Sequence, residues 1–572
     1  MNTEINGIIA TYLLTVIIAF PLGKYLAKVF AGEKVWTDFL CPLESIIYKL
    51  SGINPKQQMN WKQHMKALLT INSVWLIYGF FVLIYQDKLP LNPDGNPGMT
   101  PDLSFNTIIS FVVNCNLQHY SGETGVSYLT QHFVLMFLQF TSAATGIASA
   151  VVLFKAFREK STTQLGNFWE LFLKSITRLL LPLSLIVALI LAFNGTPASY
   201  ESKDQFVSME GDTVDVSRGP AAQFVAIKHL GTNGGGFFGA NSSHPLENPN
   251  YLTNMVEAIS QMIIPMAMII AFGYFIRKKK LAYTIYAVMT LGMFMLLVPS
   301  IIGETAGNPA IAALGVDQNH GAMEGKEVRF GAVATAYWST ITTIVSTGSV
   351  NGMHDSTMPL TGLWQLLGMM INSFFGGCGV GILNYFIYLI IAVFISGLMV
   401  GRTPEFLGHK VEAREVKIAA LVTLLSPFLI MAGTALASFV LVSYPNADWA
   451  VKPANWLNNP GFHGFSEMLY EVTSANANNG SGFEGLGDNN IFWNVVTGVI
   501  LFLGRFLPII GPVAIAGLLG QKKYIPESAG TLKVDTITFS IMTLAVILVL
   551  NALSYFPALA LGPIAEYFTL IK

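Results

Sequence analysis

Ten stretches of mostly apolar residues run through this chain: Ile5–Gly23, Leu68–Tyr85, Phe133–Phe154, Ile176–Phe193, Ala258–Ile276, Leu281–Ile302, Val380–Val400, Ile418–Val442, Ile491–Leu519 and Ile537–Ala560. Each approaches or exceeds the roughly 20 residues that a helix needs to cross the hydrocarbon core of a bilayer. Lipid offers no hydrogen bonds, so such a chain must satisfy its backbone internally, as helices. Composition agrees: of 572 residues, 52% are hydrophobic and 11% are Asp, Glu, Lys or Arg, against about 25% charged residues in soluble domains. So little charge excludes a water-soluble enzyme or a nucleic-acid binder, and a formal net charge of −1 implies no polyanion partner. Cys41, Cys115 and Cys378 are odd in number and far apart, which excludes a disulfide framework and any CxxC metal or redox site. The expected class is an all-α polytopic protein of the lipid bilayer with ten transmembrane helices. The first stretch reads as an anchor, because no small-residue cleavage site follows it and Lys24 and Lys28 stand on its C-terminal side.

Loop charge supplies an orientation. Segments 24–66, 155–178, 277–280, 402–417 and 522–533 carry seven, five, four, four and three basic residues, 23 of the 32 in the chain. The alternate segments carry six, outnumbered by acidic residues such as Asp87, Asp94, Glu201, Asp204, Asp212 and Asp215. The positive-inside rule then puts the basic segments in the cytoplasm and both termini outside. Lys228, Arg505 and the terminal Lys572 complete the count. Lys228, four residues before Thr232, reads either as a charge tuning the electrostatics of the tract that follows it or, preferred here, as a snorkelling side chain whose ammonium reaches the outer headgroups.

Four outer connections are long, and each carries a short amphiphilic piece followed by an amide- and glycine-rich tract: 105–123, 219–238, 331–356 and 464–485. With Asn116, Gly234, Gly348 and Gly480 as equivalent points, the steps are 118, 114 and 132 residues. That is an internal repeat of span, short helix, loop and span, four times over, with one extra span at each end. The expected units are 1–66 (first span and cytoplasmic loop), the repeats 67–157, 158–280, 281–416 and 417–520, and 521–572 (last span). A single Gly/Asn tract reads as an exposed turn; four at one place in four repeats read otherwise. Irregular backbone at membrane depth is tolerated where it lines a cavity or is buried in protein. Four copies around one axis offer a ring of carbonyls able to replace a cation's hydration shell, with the partly negative C-terminal ends of the short helices aimed at it. Neutral amides and hydroxyls suit a monovalent ion, since a divalent site would bring carboxylates.

At these loops the sequence resembles the potassium-binding subunits (KdpA) of bacterial Kdp potassium-transporting P-type ATPases, over essentially the whole chain. LGTNGGGFFGANSSHPLENP (230–249), VNGMHDS (350–356), GLMVGRTPEFLG (397–408) and SANANNGSGFEGLG (474–487) carry the resemblance. It implies a fold of four K+-channel-like repeats and a K+ filter at Asn114, Cys115 and Asn116; Thr232, Asn233 and Gly234; Ser346, Thr347 and Gly348; and Asn478, Asn479 and Gly480. The family often has Thr where Cys115 stands and Cys where Thr347 stands; both changes are silent if carbonyls coordinate, and alter affinity if the Thr hydroxyl takes part. Gln118 reads either as an amide supporting the filter or as part of an outer turn.

The chain has no DKTGT phosphorylation motif and no GxxxxGK[ST] phosphate loop; Gly325-Lys326 lacks the leading glycine and the Ser/Thr. No inner loop is long enough for a nucleotide domain, so ATP would be used by a partner. The resemblance supplies one, the ATPase subunit KdpB, with KdpC and KdpF completing the complex in a bacterial inner membrane. No covalent cofactor is implied; K+ is the transported ion. In such complexes the ion leaves the filter through an intersubunit tunnel, the direct route to the cytoplasm being closed. Arg505 lies within Ile491–Leu519, and a mid-membrane Arg costs from about 2.5 kcal/mol, so it should face the interior with a partner. It reads as a positive leak barrier below the filter, or as an Arg bonded to carbonyls for packing. Leu363–Phe375 and Val380–Val400 are separated by GGCGVG (376–381), where Gly376, Gly377 and Gly379 read as a broken span serving a gate, or as a hinge for close packing. His354 and Asp355 read as loop-fixing hydrogen-bond partners, the alternative being an ion relay beside the third tract; His244 and Glu247 read as structural. Two rivals stand beside the pump subunit: a stand-alone K+ channel or secondary transporter of the same superfamily, and an ion-binding membrane scaffold.

Overall fold

Each apolar stretch extends into a helix that is mostly longer than the stretch itself. In the computed structural model, which describes residues 3–401, 403–526 and 533–571, ten helices among the described residues are long and apolar enough to cross a membrane. They are Glu4–Ala31, Trp61–Ile84, Tyr128–Arg158, Phe168–Phe193, Tyr251–Phe275, Lys279–Ala313, Val380–Met399, Ala413–Ser443, Ile491–Gly520 and Ile537–Leu570. Arg402 and Lys572, both counted above, and residues 527–532 of the last basic segment lie outside the described residues. Local chemistry sets several starting points. Asn60, Asn167, Asn250, Asn490 and Thr536 have extended backbone, and their side-chain oxygens accept from N–H groups of the first turn, satisfying donors that a helix start leaves open.

The spans sort into two layers. The four that follow the outer loops, Tyr128–Arg158, Tyr251–Phe275, Val380–Met399 and Ile491–Gly520, are 61–89% buried along their apolar windows. The four that precede the loops are 22–44% buried, and the two end spans 22% and 28%. Inner helices therefore enclose an axis and outer helices face the surroundings, an all-α, K+-channel-like arrangement.

Between each outer–inner pair a short helix dips into the bundle: Pro101–Val112, Ala221–Leu230, Gly331–Ile344 and Phe462–Ala477. At about 1.5 Å per residue these are roughly 15–24 Å long, short of the roughly 30 Å hydrocarbon core. Nearly every residue in them is buried. The third inner span is broken, but earlier than the glycines suggest. Its first half is Pro359–Ile371, ended by Asn372 in the left-handed region (φ 42°), and the second half starts at Val380. Asn is the one non-glycine residue that often closes a helix this way. Two small antiparallel hairpins are added to the helices: Asp204–Val207 with Thr213–Val216 between Phe168–Phe193 and Tyr251–Phe275, and Glu405–Phe406 with His409–Lys410 between Val380–Met399 and Ala413–Ser443.

Candidate functional site

The short helices deliver the four triplets to one place with one backbone pattern. Asn114, Thr232, Ser346 and Asn478, the first members, all have positive φ, at 64°, 51°, 49° and 51°. The middle members do not, and the third members Asn116, Gly348 and Gly480 again do, at 59°, 79° and 106°. Alternation between positive and negative φ lets successive carbonyls turn to one side, as in carbonyl-lined ion filters. Gly234 departs from the pattern, having no positive φ.

The loops touch. The Gly234 N–H donates to the Cys115 carbonyl at 2.8 Å. A methyl group on Gly480 would lie 2.1 Å from the Cys115 carbonyl oxygen and 2.9 Å from Gly234 Cα, and one on Gly348 would lie 2.1 Å from the Asn479 oxygen. Backbone approach this close admits only glycine. No donor among the described residues reaches the carbonyl oxygens of Asn114, Asn116, Asn233, Ser346, Thr347, Gly348, Asn479 or Gly480. Buried carbonyls are otherwise nearly always paired, so this ring of open acceptors is suited to a cation or its waters. The buried Thr347 hydroxyl also has no partner, and Cys115 is buried.

Side chains brace the loops from behind. The Asn114 amide donates to the Thr232 carbonyl at 2.8 Å and accepts from Ser142 at 2.9 Å. Asn479 donates to Thr342 O at 2.8 Å, and its Oδ1 accepts from the Ser481 hydroxyl at 2.6 Å. Gln118 pairs with both sides of Gly236, donating at 3.1 Å and accepting at 2.9 Å, and so joins the first loop to the second. His354 bonds Tyr470 Oη at 2.8 Å, and Tyr470 bonds Ser481. His244 stacks on Phe238 with ring centroids 3.9 Å apart.

Lys228 does not snorkel. It is fully buried and pairs with the equally buried Glu247, while also donating to Asn241 Oδ1 at 2.6 Å and Ser242 Oγ at 3.0 Å. The short helix that carries it is enclosed on all sides, so no headgroup lies within reach, and the following loop folds Glu247 over it. Asn241 in turn donates to the Gly234 carbonyl at 2.9 Å. The buried ion pair thus bears on the second triplet through one amide. Sequence spacing alone did not reveal it, although NSSHPLE holds every partner.

Beneath the ring lies a cavity of about 50 Å³ lined by Asn114, Ser346, Asn478, Gly377 and Arg505, among others. Arg505 is buried there, and its Nη2 donates to the Ser142 carbonyl at 3.3 Å. Its expected partner is therefore a carbonyl; no carboxylate pairs with it among the described residues. The broken span closes one wall. The Cys378 N–H donates to Thr232 Oγ1 at 3.0 Å. A methyl on Gly379 would lie 2.3 Å from Gly146 O and one on Gly376 2.3 Å from Gly381 Cα, whereas one on Gly377 meets nothing nearer than Thr232 Oγ1 at 3.4 Å. Gly376 and Gly379 therefore permit packing, and Gly377 is the one facing free space.

Titratable groups gather close to the ring. His119 sits between Glu471, at 3.0 Å, and Asp488, at 4.0 Å. Burial disfavours its charged form, but the Asp488 and Glu471 carboxylates outweigh this and raise its pKa to about 9. Burial raises Glu484 to about 7.

A family profile described as "KdpA: Potassium-transporting ATPase A subunit" matches residues 9–568. Among curated relatives named potassium-transporting ATPase potassium-binding subunit, that of Flavobacterium johnsoniae is 63% identical over 100% of both chains. That of Bacteroides thetaiotaomicron is 60% identical over 100% of both, and that of Geobacillus kaustophilus 45% over 98% of each. Among solved structures, the potassium transporter TrkH from Vibrio parahaemolyticus is similar with a TM-score of 0.51 at 14% identity, covering 89% of this chain and 98% of that one. This last likeness is one of fold.

Proposed function

The chain belongs to the KdpA family, the potassium-transporting ATPase A subunits, and from that premise we propose that it binds K+ from the outer side in its four-loop ring and passes it to an ATPase subunit for high-affinity uptake. The observation that supports this best is the ring of buried carbonyls without donors, met by four loops of like backbone conformation. Neutral oxygens suit a monovalent ion, and the triplets hold no carboxylate. The Asn114–Asn116, Thr232–Gly234, Ser346–Gly348 and Asn478–Gly480 triplets form the filter in this reading, with Gln118 as a brace. Arg505 and the Gly376–Gly379 break bar a straight path inward.

ATP is used by the partner, KdpB, since this chain lacks a phosphorylation motif and a phosphate loop; KdpC and KdpF complete the complex. It lies in the bacterial inner membrane with both termini outside, as the five basic segments require. Repeats run over 67–157, 158–280, 281–416 and 417–520. The test is K+-stimulated ATP hydrolysis by the complex purified from native membrane. Gly234→Asp puts a carboxylate within the ring, and should shift half-saturation by K+ at least tenfold and alter K+/Rb+ discrimination. An unchanged K+ response would refute the assignment, and ATP-independent uptake by this chain alone would favour the channel reading.

A further inference from the structure

Away from the ring, on the outer side, three elements far apart in sequence bring four titratable side chains together. His463 and Glu467 lie one turn apart on Phe462–Ala477, Asp355 belongs to the third outer loop, and Glu566 to the end of the last span. One ligand atom from each of Asp355, His463 and Glu467 falls within 4.8 Å of the others. His463 Nε2 contacts Asp355 Oδ1 at 2.9 Å, and its Nδ1 contacts Glu566 Oε1 at 2.8 Å.

We propose that Asp355, His463 and Glu467 hold a divalent transition-metal ion, with Glu566 orienting the imidazole. Two independent observations support the site. First, Glu467 is fully buried, and while its Oε1 accepts from the Asn459 N–H at 3.2 Å, its Oε2 has no partner. A buried carboxylate oxygen with nothing to accept from is costly, and an ion at this point supplies the missing interaction. Both carboxylates pack against Gly485, where a methyl would lie 2.7 Å from Asp355 Oδ2 and 2.7 Å from Glu467 Oε1, so they converge on one point. Second, the Glu566 carboxylate on Nδ1 is the arrangement that fixes a metal-binding histidine, and it turns Nε2 toward Asp355 Oδ1, the proposed co-ligand.

Charge argues the same way. Asp355, Glu467 and Glu566 surround one imidazole, and Glu484 is close behind, accepting the Asp355 N–H at 3.0 Å. No Lys or Arg pairs with any of them among the described residues. The excess negative charge is what a divalent ion offsets. One imidazole nitrogen with two carboxylates suits zinc, water completing a tetrahedral shell; calcium and magnesium prefer oxygen alone. The ion takes the place of the Nε2 proton. It clamps the third outer loop, the fourth short helix and the end of the last span, three elements that no covalent link joins.

The test uses the purified full-length chain in its native complex, stripped with chelator and re-equilibrated with Zn2+. About one equivalent of zinc should be retained at Asp355, His463 and Glu467, and thermal unfolding should shift upward with Zn2+ but not with Mg2+ or Ca2+. Glu467→Gln and His463→Gln should each weaken zinc retention at least tenfold. Glu566→Gln touches no metal and should weaken it about 10–100-fold. Should those variants fold poorly, wild-type protein suffices: Zn2+ should slow modification of His463 by diethyl pyrocarbonate, read by mass spectrometry, and Mg2+ should not. No retained zinc, retention unchanged in His463→Gln (zinc held by the His119 group), or preference for Ca2+ would each overturn the proposal.

Discussion

Replacing Lys228 by Met tests the buried pair behind the second triplet most directly. Lys228 and Glu247 are both fully buried, and the ammonium serves Asn241 and Ser242 as well. Met matches the lysine stem in volume, so little packing is lost. What remains is the Glu247 carboxylate, buried without its counter-charge. Breaking one side of such a pair costs about 3–5 kcal/mol, whereas removing both sides can be nearly neutral. Lys228→Met should therefore unfold markedly more easily in denaturant, and Lys228→Met combined with Glu247→Met should recover most of the loss. A second effect reaches the ring. Asn241 loses a partner on Oδ1 while its Nδ2 holds the Gly234 carbonyl. One loosened hydrogen bond is worth about 0.5–1.5 kcal/mol, so K+ half-saturation of ATP hydrolysis should rise roughly twofold to tenfold. Equal stability of Lys228→Met and the parent, or a double variant as unstable as the sum of its parts, would refute the reasoning.

Gly480→Ala places a methyl 2.1 Å from the Cys115 carbonyl at φ 106° and should abolish high-affinity Rb+ binding to the purified complex. Gly377→Ala, with nothing nearer than 3.4 Å, should unfold like the parent in thermal scans. The His119 pKa is raised from 6.5 to about 9, so the stability its charge lends is in place below about pH 6.5 and lost as pH rises through about 9. His119→Gln should flatten that part of a stability–pH profile, and an unchanged slope would count against the ion pair. Arg505→Met should leave ATP hydrolysis running while net uptake falls, measured as Rb+ accumulated per ATP consumed in proteoliposomes; unchanged coupling would remove Arg505 from the leak barrier.

The spans are legible in the sequence because lipid leaves the backbone one solution, and length with hydropathy is enough to find it. The repeat is legible because four loops carry related punctuation at near-equal steps. Finer points are not. The broken span ends at Asn372 rather than at the conspicuous GGCG, because an Asn can adopt a left-handed closing conformation that its neighbours reveal only when folded. The glycines there prove to be of two kinds, Gly376 and Gly379 crowded by backbone and Gly377 open, a distinction that composition does not carry. The left-handed backbone of the triplets is a tertiary product: Asn114 donates to the Thr232 carbonyl across 118 positions of chain.

The two cations singled out in the sequence show why partners matter more than position. Both lie buried in the bundle close to the ring. Lys228 carries its own carboxylate, so the pair presents little net field to an ion in the second triplet, and its work is to hold Asn241. Arg505 has a carbonyl where a carboxylate would serve, and so leaves a net positive charge on the cavity lined by Asn114, Ser346 and Asn478. Two unit charges about 5 Å apart at an effective dielectric of about 20 repel by about 3 kcal/mol, which lowers occupancy by a monovalent cation more than a hundredfold. A neutralised arginine would be a packing residue; in the proposed leak barrier, Arg505 with a carbonyl for its partner would act as an electrostatic one.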